Sequence, residues 1–113
     1  RDKIKHTLMR NDMYIKLGMP NDWKKEYPIK FGTEMIIADA MYRENGAFHF
    51  VEVDNVQAMK TNYEKIKKYK ELFRLIKNQY NHVPVLIWYT LSETRKKKLY
   101  DVCQKHGLKF KIY

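Results

Sequence analysis

Apolar residues recur at intervals of three or four positions in three segments, and this spacing predicts three amphipathic helices. The first covers residues 3–17, and Gly18 can end it. The second covers residues 57–79, with Asn55 as its N-terminal cap. Its apolar positions are Met59, Tyr63, Ile66, Tyr69, Phe73, Ile76 and Tyr80. Ser92 begins the third helix over residues 93–106, and Gly107 ends it.

Other segments follow the pattern of β-strands. Two apolar runs, residues 36–44 and 47–54, flank Asn45-Gly46, which is a strong hairpin signal because both residues tolerate the positive φ of a type I′ turn. Residues 83–90 are almost continuously apolar, as expected for a strand that is covered on both faces. Residues 108–113 alternate like an edge strand, residues 29–32 predict a short strand, and residues 18–28 predict a loop.

The predicted order of elements is α-β-β-β-α-β-α-β. Such an order places the chain in the α/β class, with a mixed sheet and helices on both of its faces. The 113 residues suffice for one domain, residues 1–113, but not for two. The sequence starts at Arg1 without a Met, inside the first predicted helix, so we expect it to be a fragment of a longer protein.

The hairpin brings acidic residues together. If Asn45 and Gly46 form the turn, Asp39 lies opposite Glu52, and Asp54 is a diagonal neighbour. Opposed residues have Cβ atoms about 4.5–5.5 Å apart, and like charges there are destabilising unless a cation lies between them. The pattern therefore predicts a site for a divalent cation of the Mg²⁺ type. The same register predicts one plain core face: Ile36, Ala38, Ala40, Tyr42, Val51 and Val53.

The chain is strongly basic, with a formal net charge of +10 from 23 basic and 13 acidic residues. This excess of positive charge favours a polyanionic partner, and it favours DNA over a membrane surface. No apolar segment has the length of a membrane span. Two clusters on the second and third helices predict contacts with DNA phosphates: Lys65, Lys67, Lys68, Arg95, Lys96, Lys97 and Lys98. The alternative is a solvated, lysine-rich surface.

Four short segments are similar to the motifs of a known superfamily: Trp23-Lys-Lys-Glu26, Ile37-Ala-Asp39-Ala40, Phe50-Val-Glu52-Val-Asp54 and Lys65-Ile-Lys-Lys-Tyr69. In their order and spacing, over roughly residues 6–100, the chain resembles the PD-(D/E)xK nuclease superfamily. More narrowly, it resembles the replication-relaxation family of plasmid and mobile-element proteins. The resemblance implies a nuclease-like core.

The resemblance also implies a site. Asp39 and Glu52 would hold Mg²⁺ or Mn²⁺ through oxygen, and Glu26 would be an auxiliary acid. Asp54 occupies the position where the motif has its Lys, two residues after Glu52. A lysine from the following helix would then supply the positive charge, and the nearest candidates are Lys60 and Lys65.

Three functions stay open. The first is a DNA-associated protein of plasmid or mobile-element replication in the bacterial cytoplasm, acting as a Mg²⁺-dependent endonuclease or nickase. The second is a non-catalytic DNA-binding or regulatory module on a degenerate nuclease fold, which binds DNA nonspecifically or forms a homodimer. In that case a winged-helix region, which the resemblance places before Arg1, reads the DNA sequence. The third is a structural domain whose acidic residues pair with lysines.

Overall fold

Five strands form one mixed sheet, with helices on both of its faces, in a computed structural model that describes residues 3–113. Arg1, on which the expectation of a longer protein depends, lies outside these residues. The elements are α1 (Lys3–Lys16), β1 (Lys24–Phe31), β2 (Glu34–Glu44), β3 (Ala47–Asp54), α2 (Met59–Tyr80), β4 (Val85–Thr90), α3 (Glu93–Lys105) and β5 (Phe110–Ile112). Their order confirms the sequence prediction.

The sheet has the spatial order β1-β2-β3-β4-β5, antiparallel over the first three strands and parallel over the last three. The predicted hairpin register is confirmed, since Glu44 pairs with Ala47 and Ala40 pairs with Val51. Asn45 and Gly46 have φ values of 53° and 79°, as a type I′ turn requires. This turn therefore sets the alignment of β2 and β3.

Two local predictions were wrong. Residues 24–28 belong to β1 rather than to a loop, and Pro28 is tolerated there because β1 is an edge strand whose outer side needs no ladder bond. Asn55 does not cap α2, because Ala58 precedes the helix and the Asn55 N–H donates to the side chain of Gln57. The prediction for Ser92 is confirmed, since its hydroxyl accepts from the backbone N–H of Arg95 at 3.2 Å.

The sheet separates two apolar cores. On one face α1 packs Met9 and Met13 against Val51, Val53 and Ile87. On the other face α2 and α3 cover a larger core, which includes Phe50, Ile66, Tyr69, Trp88 and Leu99. The central strands β3 and β4 contribute alternate residues to the two cores, which fixes the side from which their functional side chains approach.

The alternation of β2 changes at Asp39. Ile36 and Ala38 pack into the core beneath α2, together with Met41, whereas Ala40 packs into the core beneath α1. The prediction that Ile36 and Ala38 share a face with Ala40 was therefore wrong. Strict alternation from Ala38 would place Ala40, and not Met41, beneath α2. Asp39 lies where the strand exchanges its two faces.

Asp54 joins four elements at the end of β3. Its carboxylate has no solvent exposure and accepts two hydrogen bonds of 2.7 Å from the Arg95 guanidinium of α3. It also accepts from the Thr90 hydroxyl of β4 at 2.8 Å and from the Asn62 amide of α2 at 3.1 Å. Burial alone would raise the pKa of Asp54, but these donors outweigh it and hold the pKa below its ordinary value.

We expect Arg95→Met to destabilise the fold because it leaves a buried carboxylate without its cation. The free energy of unfolding should fall by roughly 3–5 kcal/mol, towards the lower end because Arg95 keeps some exposure, as measured by urea denaturation. Arg74→Met is the matched control, since it removes an arginine whose pair with Glu71 is exposed. A loss for Arg95→Met no larger than that for Arg74→Met would contradict the role given to Asp54.

Candidate active site

Glu52 is buried on the α2 side of the sheet and carries two direct contacts. The Lys65 ammonium lies 2.7 Å from its Oε1 atom, and the Tyr69 hydroxyl donates to its Oε2 atom. Lys65 also donates to the carbonyl of Ile37 at 2.8 Å, so it bridges α2, β2 and β3. The sequence named Lys60 and Lys65 as alternatives, and in the structure Lys65 is the one at Glu52.

Burial raises the pKa of Glu52 to about 8. Lys65 opposes this shift, whereas the negative charge of Asp39 increases it. Burial and the neighbouring Glu52 also raise the pKa of Tyr69 well above its ordinary value, so its hydroxyl stays protonated and donates. A further positive charge near Glu52 would favour its ionised form and lower its pKa.

Asp39 continues the β2–β3 ladder with its side chain. Backbone pairing between the strands ends at Ala40 and Val51, and the next register positions are Asp39 and Glu52. The Asp39 Oδ2 atom accepts from the Val53 N–H at 2.7 Å, while its Oδ1 atom lies 3.3 Å from the His6 Nε2 atom of α1. The carboxylate thus stands where β2 and β3 cease to pair, next to α1.

Glu26 lies on β1 across from Asp39 of β2, between the pairs Lys25–Ala40 and Tyr27–Ala38. Its backbone φ of 49° is in the left-handed region, which is unusual for a residue with a side chain. The Glu26 carboxylate is 2.8 Å from Arg10 and 3.7 Å from His6. The predicted auxiliary acid is therefore a neighbour of Asp39, and the ligand atoms of His6, Glu26 and Asp39 lie within 4.8 Å of one another.

His6 and Arg10 are members of this cluster that the sequence analysis missed. Both are buried on the stripe of α1 that also carries Met9 and Met13. A helical stripe at intervals of three and four residues that contains two polar side chains is the signal that would have found them. Polar residues on the buried face of a helix need partners, and here the partners are the two carboxylates.

Two other predicted site residues have surroundings that differ from those of Glu52. Asp54 is occupied by Arg95, Thr90 and Asn62, through the hydrogen bonds at the end of β3. Lys60 is exposed and lines a cavity between α2 and α3 with Val102 and His106. The structure thus places Glu26 beside Asp39 and Lys65 beside Glu52, at the end of the β2–β3 ladder, and Lys60 elsewhere.

The residues predicted to bind DNA divide into two groups. Four of them have acidic partners within the protein: Lys65 with Glu52, Lys68 with Glu34, Arg95 with Asp54 and Lys97 with Asp101. The remaining three are the exposed Lys67 and Lys98 and the half-buried Lys96. A lysine that already has a carboxylate partner neutralises less phosphate charge, so the first group is less suited to DNA binding.

The described residues contain no helix that is both long and apolar enough to cross a membrane. Among known protein families, the model described as replication-relaxation matches residues 1–86, which include α1, the first three strands and all of α2. Neither the curated proteins nor the solved structures contain a match to the chain.

The raised pKa of Glu52 predicts a pH-dependent stability in metal-free buffer. The folded protein keeps this proton up to about pH 8, whereas the unfolded chain loses it near the ordinary value of 4.5. Because the folded state binds more protons in this window, the free energy of unfolding should fall as the pH rises from 4.5 to 8. The slope cannot exceed about 1.4 kcal/mol per pH unit for one group.

The matched variant is Glu52→Gln, which has no titrating group at this position. Urea denaturation of both proteins across the window should show the parent losing stability relative to the variant as the pH increases. A difference between parent and variant that is constant from pH 4.5 to pH 8 would contradict the raised pKa of Glu52.

Proposed function

The chain belongs to the replication-relaxation family, and we propose that it acts on DNA during plasmid or mobile-element replication, as a metal-dependent endonuclease or nickase. The observation that carries the proposal is the contact of 2.7 Å between Lys65 and Glu52. Lys65 would supply the positive charge that a PD-(D/E)xK site requires, because Asp54 occupies the usual position of the lysine. Glu52 of β3 contacts Lys65 of α2, and Asp39 of β2 is the next register position across from Glu52.

The donor atoms of Asp39 and Glu52 are of the type that a hard divalent cation takes. Asp39 and Glu52 offer carboxylate oxygens, which are the ligands that Mg²⁺ and Mn²⁺ prefer. The charge of Asp39 already disfavours ionisation of the buried Glu52, and a cation would remove that conflict. When bound, such a cation polarises a phosphodiester oxygen and lowers the pKa of a bound water. Asp39 and Glu52 are the residues that would hold it.

Lys65 would stabilise the charge that develops on the phosphate. Its ammonium is held by Glu52 and by the Ile37 carbonyl. If Glu52 bound a cation, Lys65 would lose part of that ion pair and gain freedom to contact a phosphate oxygen. A positioned positive charge of this kind stabilises a transition state more than it stabilises the substrate.

Tyr69 and His6 would orient the two acids. The Tyr69 hydroxyl donates to one oxygen of Glu52 and leaves the other to Lys65. The Val53 N–H fixes one oxygen of Asp39, while His6 faces the other. These contacts limit the rotation of both carboxylates, which favours a preorganised site.

A second candidate is a non-catalytic DNA-binding or regulatory module. The observation that favours it is the same contact, since Lys65 already places a positive charge at Glu52 without a cation. In this alternative the contacts of Glu52 with Lys65 and Tyr69 serve to join α2 to the sheet. The two candidates differ in their response to a divalent cation and in the cleavage of DNA.

Catalysis by this site predicts that Lys65→Met reduces the nicking of supercoiled plasmid in Mn²⁺ by about 10²–10³-fold, the range for removal of one transition-state donor. Metal binding, measured as the increase in Tm on adding Mn²⁺, should persist in this variant because both carboxylates remain. Lys60→Met and the exposed Lys70→Met should nick at the rate of the parent.

The double variant Asp39→Asn/Glu52→Gln should lose both the nicking and the increase in Tm. If the parent itself shows neither effect at millimolar Mn²⁺, the proposal of catalysis is wrong, and the non-catalytic module is the candidate that is left. If Lys60→Met abolishes nicking while Lys65→Met does not, the assignment of the lysine is wrong.

A further inference from the structure

A cavity of about 420 Å³ opens on the α1 side of the sheet, near the β2–β3 turn. It lies at the opposite end of β3 from Asp54, and five elements, α1 and the strands β2 to β5, contribute to it. Its basic residues are Lys16 from the end of α1 and Lys109 and Lys111 from the β5 segment, and its aromatic residues include Tyr42 and His49. The volume is within the range of small-molecule sites, about 300–1,000 Å³.

The topology leaves this cavity open and basic. Phe110 and Ile112 pack against the core beneath α2 and α3, so the alternate residues Lys109 and Lys111 lie on the other face of the sheet. Lys111 is the register partner of Ile87, which belongs to the α1 core. Because α1 ends at Lys16, the sheet beyond that point has no helix over it in the described chain.

Stacked rings form one wall of the cavity. The rings of Tyr42 and His49 are parallel within 19°, with centroids 4.7 Å apart, and the Trp23 ring continues the column at 6.0 Å from Tyr42. The Nδ1 atom of His49 is 3.0 Å from the Ala47 carbonyl, which fixes the ring. A rigid aromatic wall beside a cavity is suited to a planar ligand.

The charges at the cavity differ from those of the four predicted DNA-binding residues that have acidic partners. Lys16, Lys109 and Lys111 are exposed, and none of the three forms an ion pair with a carboxylate among residues 3–113. Lys16 instead lies 5.9 Å from the centre of the Tyr89 ring. One acid, Glu44, also lines the cavity, at the hairpin turn. The balance is three cations against one anion.

We propose that this cavity binds a nucleotide of single-stranded DNA, with Lys109 and Lys111 at the phosphate and the aromatic wall against the base. The proposal rests on the proposed function, for which it supplies the DNA contact. A concave site with an aromatic wall fits an unpaired base, whereas the bases of a duplex are stacked on one another. His49 precedes Glu52 by three residues, about 10 Å along the strand, and faces the opposite side of the sheet.

The test is fluorescence anisotropy of a short labelled oligothymidine across a series of salt concentrations. Lys109→Ala/Lys111→Ala should weaken binding at least tenfold at low salt and flatten the slope of log K against log salt by about 0.7 for each phosphate that the variant no longer neutralises. The control is Lys77→Ala/Lys105→Ala, which removes the same charge from exposed positions on α2 and α3. The control should weaken binding less than twofold.

His49→Ala separates stacking from charge. Above neutral pH this variant should weaken binding severalfold without changing the salt slope, because the pKa of His49 is lowered by burial and the ring carries no charge. Thermal unfolding of each variant checks the fold, and the single variants Lys109→Ala and Lys111→Ala replace the double variant if it unfolds. Each single variant should weaken binding by part of the effect of the double variant.

The outcomes distinguish this inference from the proposed function. If the parent binds and both double variants weaken binding equally, the cavity is not the binding site. Lys109 and Lys111 would then act only through the overall charge, or would serve to prevent β5 from pairing with another strand. Equal binding of a duplex with the same lysine dependence would overturn the preference for single strands. If the parent binds no DNA even at low salt, the proposed association with DNA fails as well.

Discussion

The ion pair between the buried Asp54 and the partly buried Arg95 is the interaction on which the candidate active site depends. It joins the end of β3 to the start of α3, and through Thr90 and Asn62 it also holds β4 and α2. Removing one partner from such a pair is costly, because it leaves a charge without compensation in the interior. The pair therefore fixes the position of α2 relative to the sheet, and with it the position of Lys65.

This arrangement would make the proposed lysine-dependent site compatible with Asp54 at the position where the motif that the chain resembles has its lysine. Asp54 serves the fold, and the positive charge comes from α2, one turn before Tyr69, which contacts the same carboxylate of Glu52. On the other side of the ladder, α1 brings His6 and Arg10 to Asp39 and Glu26. The site thus lies between two helices on opposite faces, at the point where β2 and β3 stop pairing.

Local sequence signals predicted the parts of this structure that depend on local physics. Asn45-Gly46 fixed the register because its turn type determines which residues face each other, and the helical periodicity located all three helices. The change of face at Asp39, the partner of Asp54 and the approach of His6 could not be predicted in this way. Each depends on a contact between residues distant in the chain. Pro28 argued against a strand over residues 24–28, and the position of β1 at the edge of the sheet explains why a strand forms there.

The most direct test of the account is anomalous diffraction from a crystal of the protein soaked in Mn²⁺. The account predicts one strong peak that is coordinated by carboxylate oxygens of both Asp39 and Glu52, with the Lys65 ammonium moved away from Glu52. A peak held by His6, Glu26 and Asp39 without Glu52 would contradict it, because the cation would then lie on the α1 side and leave the ion pair of Lys65 intact. Absence of any peak at these carboxylates, in a crystal that admits the ion, would contradict it equally.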